Sequence, residues 1–285
     1  MFRMTEHALF VEGIAFWAPG LPDWGSARAA FRGERSAAPS TGRLPTATLL
    51  TASERRRAPE TVALALEAAR MAVAASGRQA NALLGVFVSA HGDLPTIDTL
   101  CATLACDPLH VSPTKFLHSI HNAPAGLWSM VGGSWQPNTT LTAFNCSFAA
   151  GFLEAAVQCS AEQQPVLLVG YDTAATGALT ESMASSGALA VALVLAPERS
   201  ARSSHRMAWS LLRAEKPPIQ ARSDVSGALA NNGMADALPL FEALASLAPT
   251  SVTLAQSRKQ SLQLTIEPLS ANQAATHAEA EHCEK

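Results

Sequence analysis

The chain has 285 residues, 48% of them hydrophobic and 15% charged, which suits one large domain or two small ones and excludes a disordered chain. Its net charge is −3 and it holds no long basic run, so nucleic acid is not the expected partner. The longest uncharged apolar stretch, GALAVALVLAP at 187–197, is too short to span a bilayer.

Taken in chain order, ALFVEGIAF (8–16) predicts a first strand, closed by the Pro and Gly of APGLPDWG. SARAAFRGE predicts a short helix, and residues 39–59 are read as mostly loop. PETVALALEAARMAVAA (59–75) predicts a helix, with Pro and Glu in its first turn and Gly77 beyond its end. Ala and Leu occupy nearly every side of it, so it is expected to be buried. LLGVFVSA (83–90) predicts a buried strand, followed by the loop HGDLP and the helix TIDTLCATLA. Residues 112–133 are read as a loop leading into a helix.

TTLTAF (139–144) then predicts a strand, SFAAGFLEAAVQ (147–158) a helix and PVLLVGYD (165–172) a strand. GALAVALVLAP predicts another, with RMAWSLLRA (206–214) expected to pair beside it. KPPIQARSDVSG (216–227) is read as a flexible connection, MADALPLFEALASLA (234–248) as a helix and SLQLTIEP (261–268) as a closing strand. Helices alternating with continuous apolar strands predict an α/β fold, a mixed sheet covered on both faces. Residues 1–268 are expected to form one domain. Residues 269–285, rich in Ala, Glu and His, are expected to be a disordered tail.

MFRMTEHALF has acid and histidine where an export signal needs an apolar core. The expectation is a cytoplasmic protein whose five cysteines (101, 106, 146, 159 and 283) stay reduced. Residues 28–78 carry nine arginines against four glutamates. That excess is either a solvated surface or a docking face for an acidic partner.

Three clusters invite a chemical reading. Cys106, His110, His118 and His121 superficially resemble metal ligands, but they cross a helix end, a proline and a loop rather than a tight turn or one helix face. No metal is expected. Ser89, His91 and Asp93 have the residue types of a hydrolase triad, yet working triads are assembled from distant segments, and no G-x-S-x-G elbow is present. The third cluster is TAFNCSFAAG at 142–151, where an apolar strand meets a helix. A thiolate at a helix N-terminus is stabilised by unpaired N–H groups, and those same groups suit an oxyanion. Cys146 is either that nucleophile or a small residue packed beneath the bend.

The segments LLTASERRRAPETVALALEAA, LLGVFVSAHGD, SPTKFLHSIHNAPAGLWSM, LTAFNCSFAAGFLEAA and PVLLVGYD together resemble the N-terminal half of a β-ketoacyl synthase with an abbreviated C-terminal part. The resemblance is closer to the ketosynthase-like chain length factors of aryl polyene biosynthesis. It implies a thiolase-like layered fold, no cofactor, and two partners: an active ketosynthase and an acyl carrier protein. Counted from Gly126 and from the strand VLLVG, the nucleophile position of that family falls on Asn145, where a strained backbone that Asn tolerates is expected, with Cys146 one residue late. The histidine motifs that active relatives carry in their C-terminal half do not occur. The resemblance therefore implies a non-catalytic subunit that shapes an acyl pocket in aryl polyene, polyketide or fatty-acid-type biosynthesis. Trp128, Met130, Phe144, Asn145 and Phe148 are the expected pocket or interface residues. An active condensing enzyme or acyltransferase using Cys146, and a scaffold for synthase and carrier protein, are the alternatives.

Overall fold

The computed structural model describes residues 7–39, 43–183, 185–213 and 223–269. The elements are β1 (His7–Trp17), α1 (Trp24–Phe31), α2 (Ala52–Arg55), α3 (Glu60–Ser76), β2 (Leu84–Val88), α4 (Leu94–Cys106), α5 (Pro113–Ser119), α6 (Ala123–Gly132), β3 (Asn138–Leu141), α7 (Ser147–Glu162), β4 (Val166–Asp172), β5 (Leu189–Ala196), β6 (His205–Leu212), α8 (Asp224–Leu229), α9 (Leu238–Ala245), β7 (Thr250–Ala255) and β8 (Ser261–Pro268). They build an eight-stranded mixed sheet in the order β3-β2-β4-β5-β1-β6-β8-β7. β2 runs parallel to β3 and β4, and the remaining pairs are antiparallel. The expected tail lies outside the described residues, apart from Leu269.

Period-two alternation explains how both faces are covered. In β5, Leu189, Val191, Leu193 and Leu195 face a core shared with α7 and α9, whereas Ala190, Ala192 and Val194 face the core of α3 and α6. Small side chains on the second face let the alanine-rich α3 approach closely. A Cβ placed on Gly13 of β1 would lie 2.1 Å from the Ala72 carbonyl oxygen of α3. α3 stops where the sequence predicts, with Gly77 in the left-handed region at φ 64°. Because it is buried along most of its length, its stability comes from packing more than from propensity.

Four expectations are corrected. β6 pairs with β1 and β8, not with β5, because the long first strand lies between them and takes both as neighbours. β7 is an additional strand at the sheet edge. Its Val252 and Leu254 point inward between polar Ser and Thr, a run too short to stand out in the sequence. SPTKFLHS is helical rather than loop: Ser112 caps α5 by accepting from the Lys115 N–H, and Pro113 sits at its first position. Part of the expected flexible connection forms α8, capped by Ser223.

Among the described residues, no helix is long and apolar enough to cross a membrane. The two sheet edges differ. β7 alternates buried with exposed residues. β3 is only four residues long, half-buried throughout, and pairs on one side alone. Close to it in the chain, at the end of α6 and on either side of the strand, Met130, Trp135 and Phe144 are exposed large apolar residues. Trp135, just before β3, is 99% exposed. A bare strand edge beside exposed aromatics is a surface that associates.

Candidate functional site

Between β3 and α7 the chain turns through a single 3-10 turn at Phe144–Cys146. Phe144 takes φ 49°, a left-handed conformation that L side chains rarely adopt. Sequence reasoning expects the strained backbone at Asn145; the structure puts it one residue earlier. Ser147 holds the bend in place. Its buried hydroxyl accepts from the Ala143 N–H (2.8 Å) and donates to the Phe144 carbonyl (2.7 Å). Forcing both backbone groups toward one hydroxyl leaves Phe144 little choice of φ. Asn145 is exposed, Cys146 is half-buried at the N-cap of α7, and the Phe144 ring is 65% exposed.

The expected pocket residues fall in three settings. Phe148 is fully buried on the α7 face of the sheet, edge-on to Phe241 at 6.0 Å. Trp128 is buried on the opposite face, in the core of α3. Met130, Phe144 and Asn145 are exposed, the first two belonging to the apolar surface beside β3.

The bend rests on buried acids that the sequence reading did not single out. Asp172 ends β4 fully buried. Its carboxylate accepts from the Ser89 hydroxyl (2.7 Å) and from the N–H groups of Ala90 (2.8 Å) and His91 (3.2 Å). These bonds lower its pKa, but burial outweighs them and pushes it up to about 7. Asp236 reaches across from the short turn before α9 and accepts from the Ala149 N–H (3.2 Å), in the first turn of α7. Burial, reinforced by the negative charge of Asp172, raises Asp236 to about 8. Its second oxygen, Oδ1, is sealed from solvent and has no hydrogen-bond partner among the described residues. Asp236 thus caps α7 from outside the helix and occupies the Ala149 N–H, one of the groups an oxyanion there would otherwise use. The signal for Asp172 was an acid closing an otherwise apolar strand. For Asp236, the sequence offered none.

His91 lies beside the bend. Its ring stands edge-on to Phe144 at 6.4 Å, its Nδ1 is buried without a partner among the described residues, and burial lowers its pKa. His121 Nε2 lies 3.2 Å from the Ser89 carbonyl oxygen. Ser89, His91 and Asp93 do not form a relay. Ser89 serves Asp172, while Asp93 accepts from the Thr61 hydroxyl and caps α4 through the Thr96 N–H. Cys106, His110, His118 and His121 likewise do not converge. His110 pairs with Asp107, and no group of three or more His, Cys, Asp or Glu suited to a metal occurs among the described residues.

The arginine excess divides in the same way. Arg78 pairs with the buried Glu12, and Arg70 with Glu67. Arg55, Arg56 and Arg57 are exposed at the end of α2.

Comparison with solved structures finds this architecture in a complex of a ketosynthase (ApeO) with its chain length factor (ApeC) from Xenorhabdus doucetiae. The identity is 20%, the match covers 91% of this chain and 99% of the other, and the TM-score is 0.69. The ishigamide ketosynthase/chain length factor matches at 12% identity over 92% of this chain and 100% of the other, TM-score 0.71. A complex of a type II polyketide synthase acyl carrier protein with its hexaketide-bound ketosynthase, AntDE:AntF, matches at 13% identity over 93% and 100%, TM-score 0.73. At these identities the likeness establishes the fold, which is thiolase-like. No curated protein matches the chain. The family model for the N-terminal domain of β-ketoacyl synthase matches residues 29–263. That span takes in β2, the bend at Phe144, α7 and both buried acids, and the chain belongs to the β-ketoacyl synthase N-terminal domain family.

Proposed function

We propose that this chain is a chain length factor, a non-catalytic ketosynthase-like subunit. It pairs with an active ketosynthase and shapes the pocket into which an acyl chain grows, in aryl polyene, polyketide or fatty-acid-type biosynthesis. One observation carries the reading. At the bend, where the resemblance puts the nucleophile position on Asn145, Asp236 takes the Ala149 N–H at the helix end that would stabilise a thiolate or an oxyanion. A thiolate gains little from an N–H already given to a carboxyl.

Two further features fit a paired subunit. The β3 edge and its rim of exposed aromatics suit a large apolar interface, and two of the matched complexes are of a ketosynthase with a chain length factor. An acyl carrier protein is the proposed third component, in line with the carrier–ketosynthase complex among the neighbours. The exposed Arg55, Arg56 and Arg57 offer it an unpaired basic face.

The test is reconstitution with a ketosynthase encoded nearby. The pair should condense malonyl units when either chain alone does not, and Phe144→Ala should shift product length while the pair still assembles. Condensation by this chain alone would refute the proposal. Unchanged length with Phe144→Ala would favour a scaffold. Cys146, at the N-cap of α7, supports the rival reading of an active enzyme. An acyl adduct on Cys146, lost together with turnover in Cys146→Ala, would establish that reading instead.

A further inference from the structure

A cleft of about 350 Å³ opens between α1, the C-terminal end of α9, the middle of β1, the last turn of α3, the start of β6 and the end of β8. It shares no residue with the bend at Phe144. A second cavity, which holds Arg32, Ser246 and Leu247 in common with it, continues the groove along α9. The lining combines two chemistries. Trp24, Leu244 and Leu247 supply apolar surface; Trp24 is fixed edge-on against Phe241 at 6.0 Å, and Leu247 is 79% exposed. Arg28 and Arg32, following Trp24 at successive turns of α1, and His205 supply polar and charged surface.

The charges there are not balanced from within. Arg28 and Arg32 stand one helical turn apart, a spacing at which like charges repel. Arg28 is exposed and has no partner among the described residues. Arg32 donates from Nε to the Ala245 carbonyl and has only a long 3.8 Å approach to Glu34. Glu12 also lines the cleft, but its carboxylate is taken by Arg78 and by the Ser200 hydroxyl. His205 is held between the Ser204 hydroxyl at 2.9 Å and the Leu244 carbonyl, with burial and both guanidinium groups depressing its pKa.

We propose that this cleft binds a small amphipathic anion, its carboxylate or phosphate head on Arg28 and Arg32 and its apolar stem along Trp24, Leu244 and Leu247. The volume lies at the lower end of the small-molecule range of roughly 300–1,000 Å³, too small for a helix or a nucleic-acid strand. Two guanidinium groups facing one cavity recognise such a head by charge-assisted hydrogen bonds. The neighbouring indole and leucines give an uncharged stem a dry wall.

Calorimetry on the full chain with octyl phosphate, octanoate, inorganic phosphate and octanol tests this. The two amphipathic anions should bind and raise the melting temperature. Phosphate without a stem and octanol without a charge should bind at least about tenfold more weakly, a difference of about 1.4 kcal/mol. The tighter of the two anions identifies the head group, and binding of either supports the site. Arg28→Gln, at an exposed and unpaired position, should keep the melting temperature of the free chain and lose at least about tenfold in affinity. Bound anion should also move the His205 imidazole titration to higher pH by NMR. Equal binding of octanol and octyl phosphate, unchanged affinity in Arg28→Gln, an unmoved His205 titration, or no binding at millimolar ligand would each overturn the proposal.

Discussion

Replacing Asp236 by Asn keeps the shape of the α7 cap and removes its proton. In the folded chain the Asp236 carboxyl holds its proton up to about pH 8, whereas an unfolded aspartate releases it near 3.8. Between those values the folded state binds the extra proton, so the contribution of Asp236 to stability falls as pH rises through the window. One fully displaced proton is worth about 1.4 kcal/mol per pH unit. From pH 6 to 7.5 the native chain should therefore lose about 2 kcal/mol relative to Asp236→Asn. For a urea slope of about 3 kcal/mol per molar, that is roughly 0.7 M in the unfolding midpoint. Taking the difference between the two chains cancels common groups that titrate independently of Asp236, which excludes the coupled Asp172. These include His91 and His205, whose depressed pKa values act in the opposite sense by favouring the folded state as pH rises toward 6.5. Urea titrations at pH 6, 6.75 and 7.5 give the measurement. Parallel stability–pH curves for the two chains would refute the idea that a buried, protonated carboxyl caps α7.

Other substitutions probe the frame around that cap. Ser147→Ala removes the hydroxyl that braces Phe144 and leaves the Ala143 N–H unpaired, so thermal or chemical denaturation should show a loss of about 1–3 kcal/mol. Gly151→Ala would place a Cβ 2.2 Å from Val88 Cγ2 where α7 crosses β2; the overpacking should cost about 1–3 kcal/mol, roughly 2–4 °C per kcal/mol by calorimetry. Met130→Ser with Trp135→Ser acts on exposed side chains beside β3. The melting temperature should stay within about 2 °C while co-purification with a ketosynthase partner falls at least about tenfold.

The sequence by itself determined the elements whose pattern is long and whose ends are chemically marked. The α3 helix has Gly77 beyond its end, and β4 and β5 are unbroken apolar runs. The alternation of helices with apolar strands was enough for an α/β sheet covered on both faces, because few arrangements bury such elements, and the motif-level resemblance named the fold. It also located the bend at 145–147, since a strand pattern cannot pass into a helix pattern without a turn, although the strand ends earlier than expected, at Leu141. What only the tertiary structure decided was non-local. The placement of β1 between β5 and β6 depends on pairing partners far apart in the chain. The strain fell on Phe144 rather than Asn145 because one hydroxyl, Ser147, gathers two backbone groups across the turn. Asp172 and Asp236 were invisible for the same reason. A lone acid reads as surface until folding carries it into the interior, where lost hydration, together with the N–H groups it meets there, sets its protonation and its role.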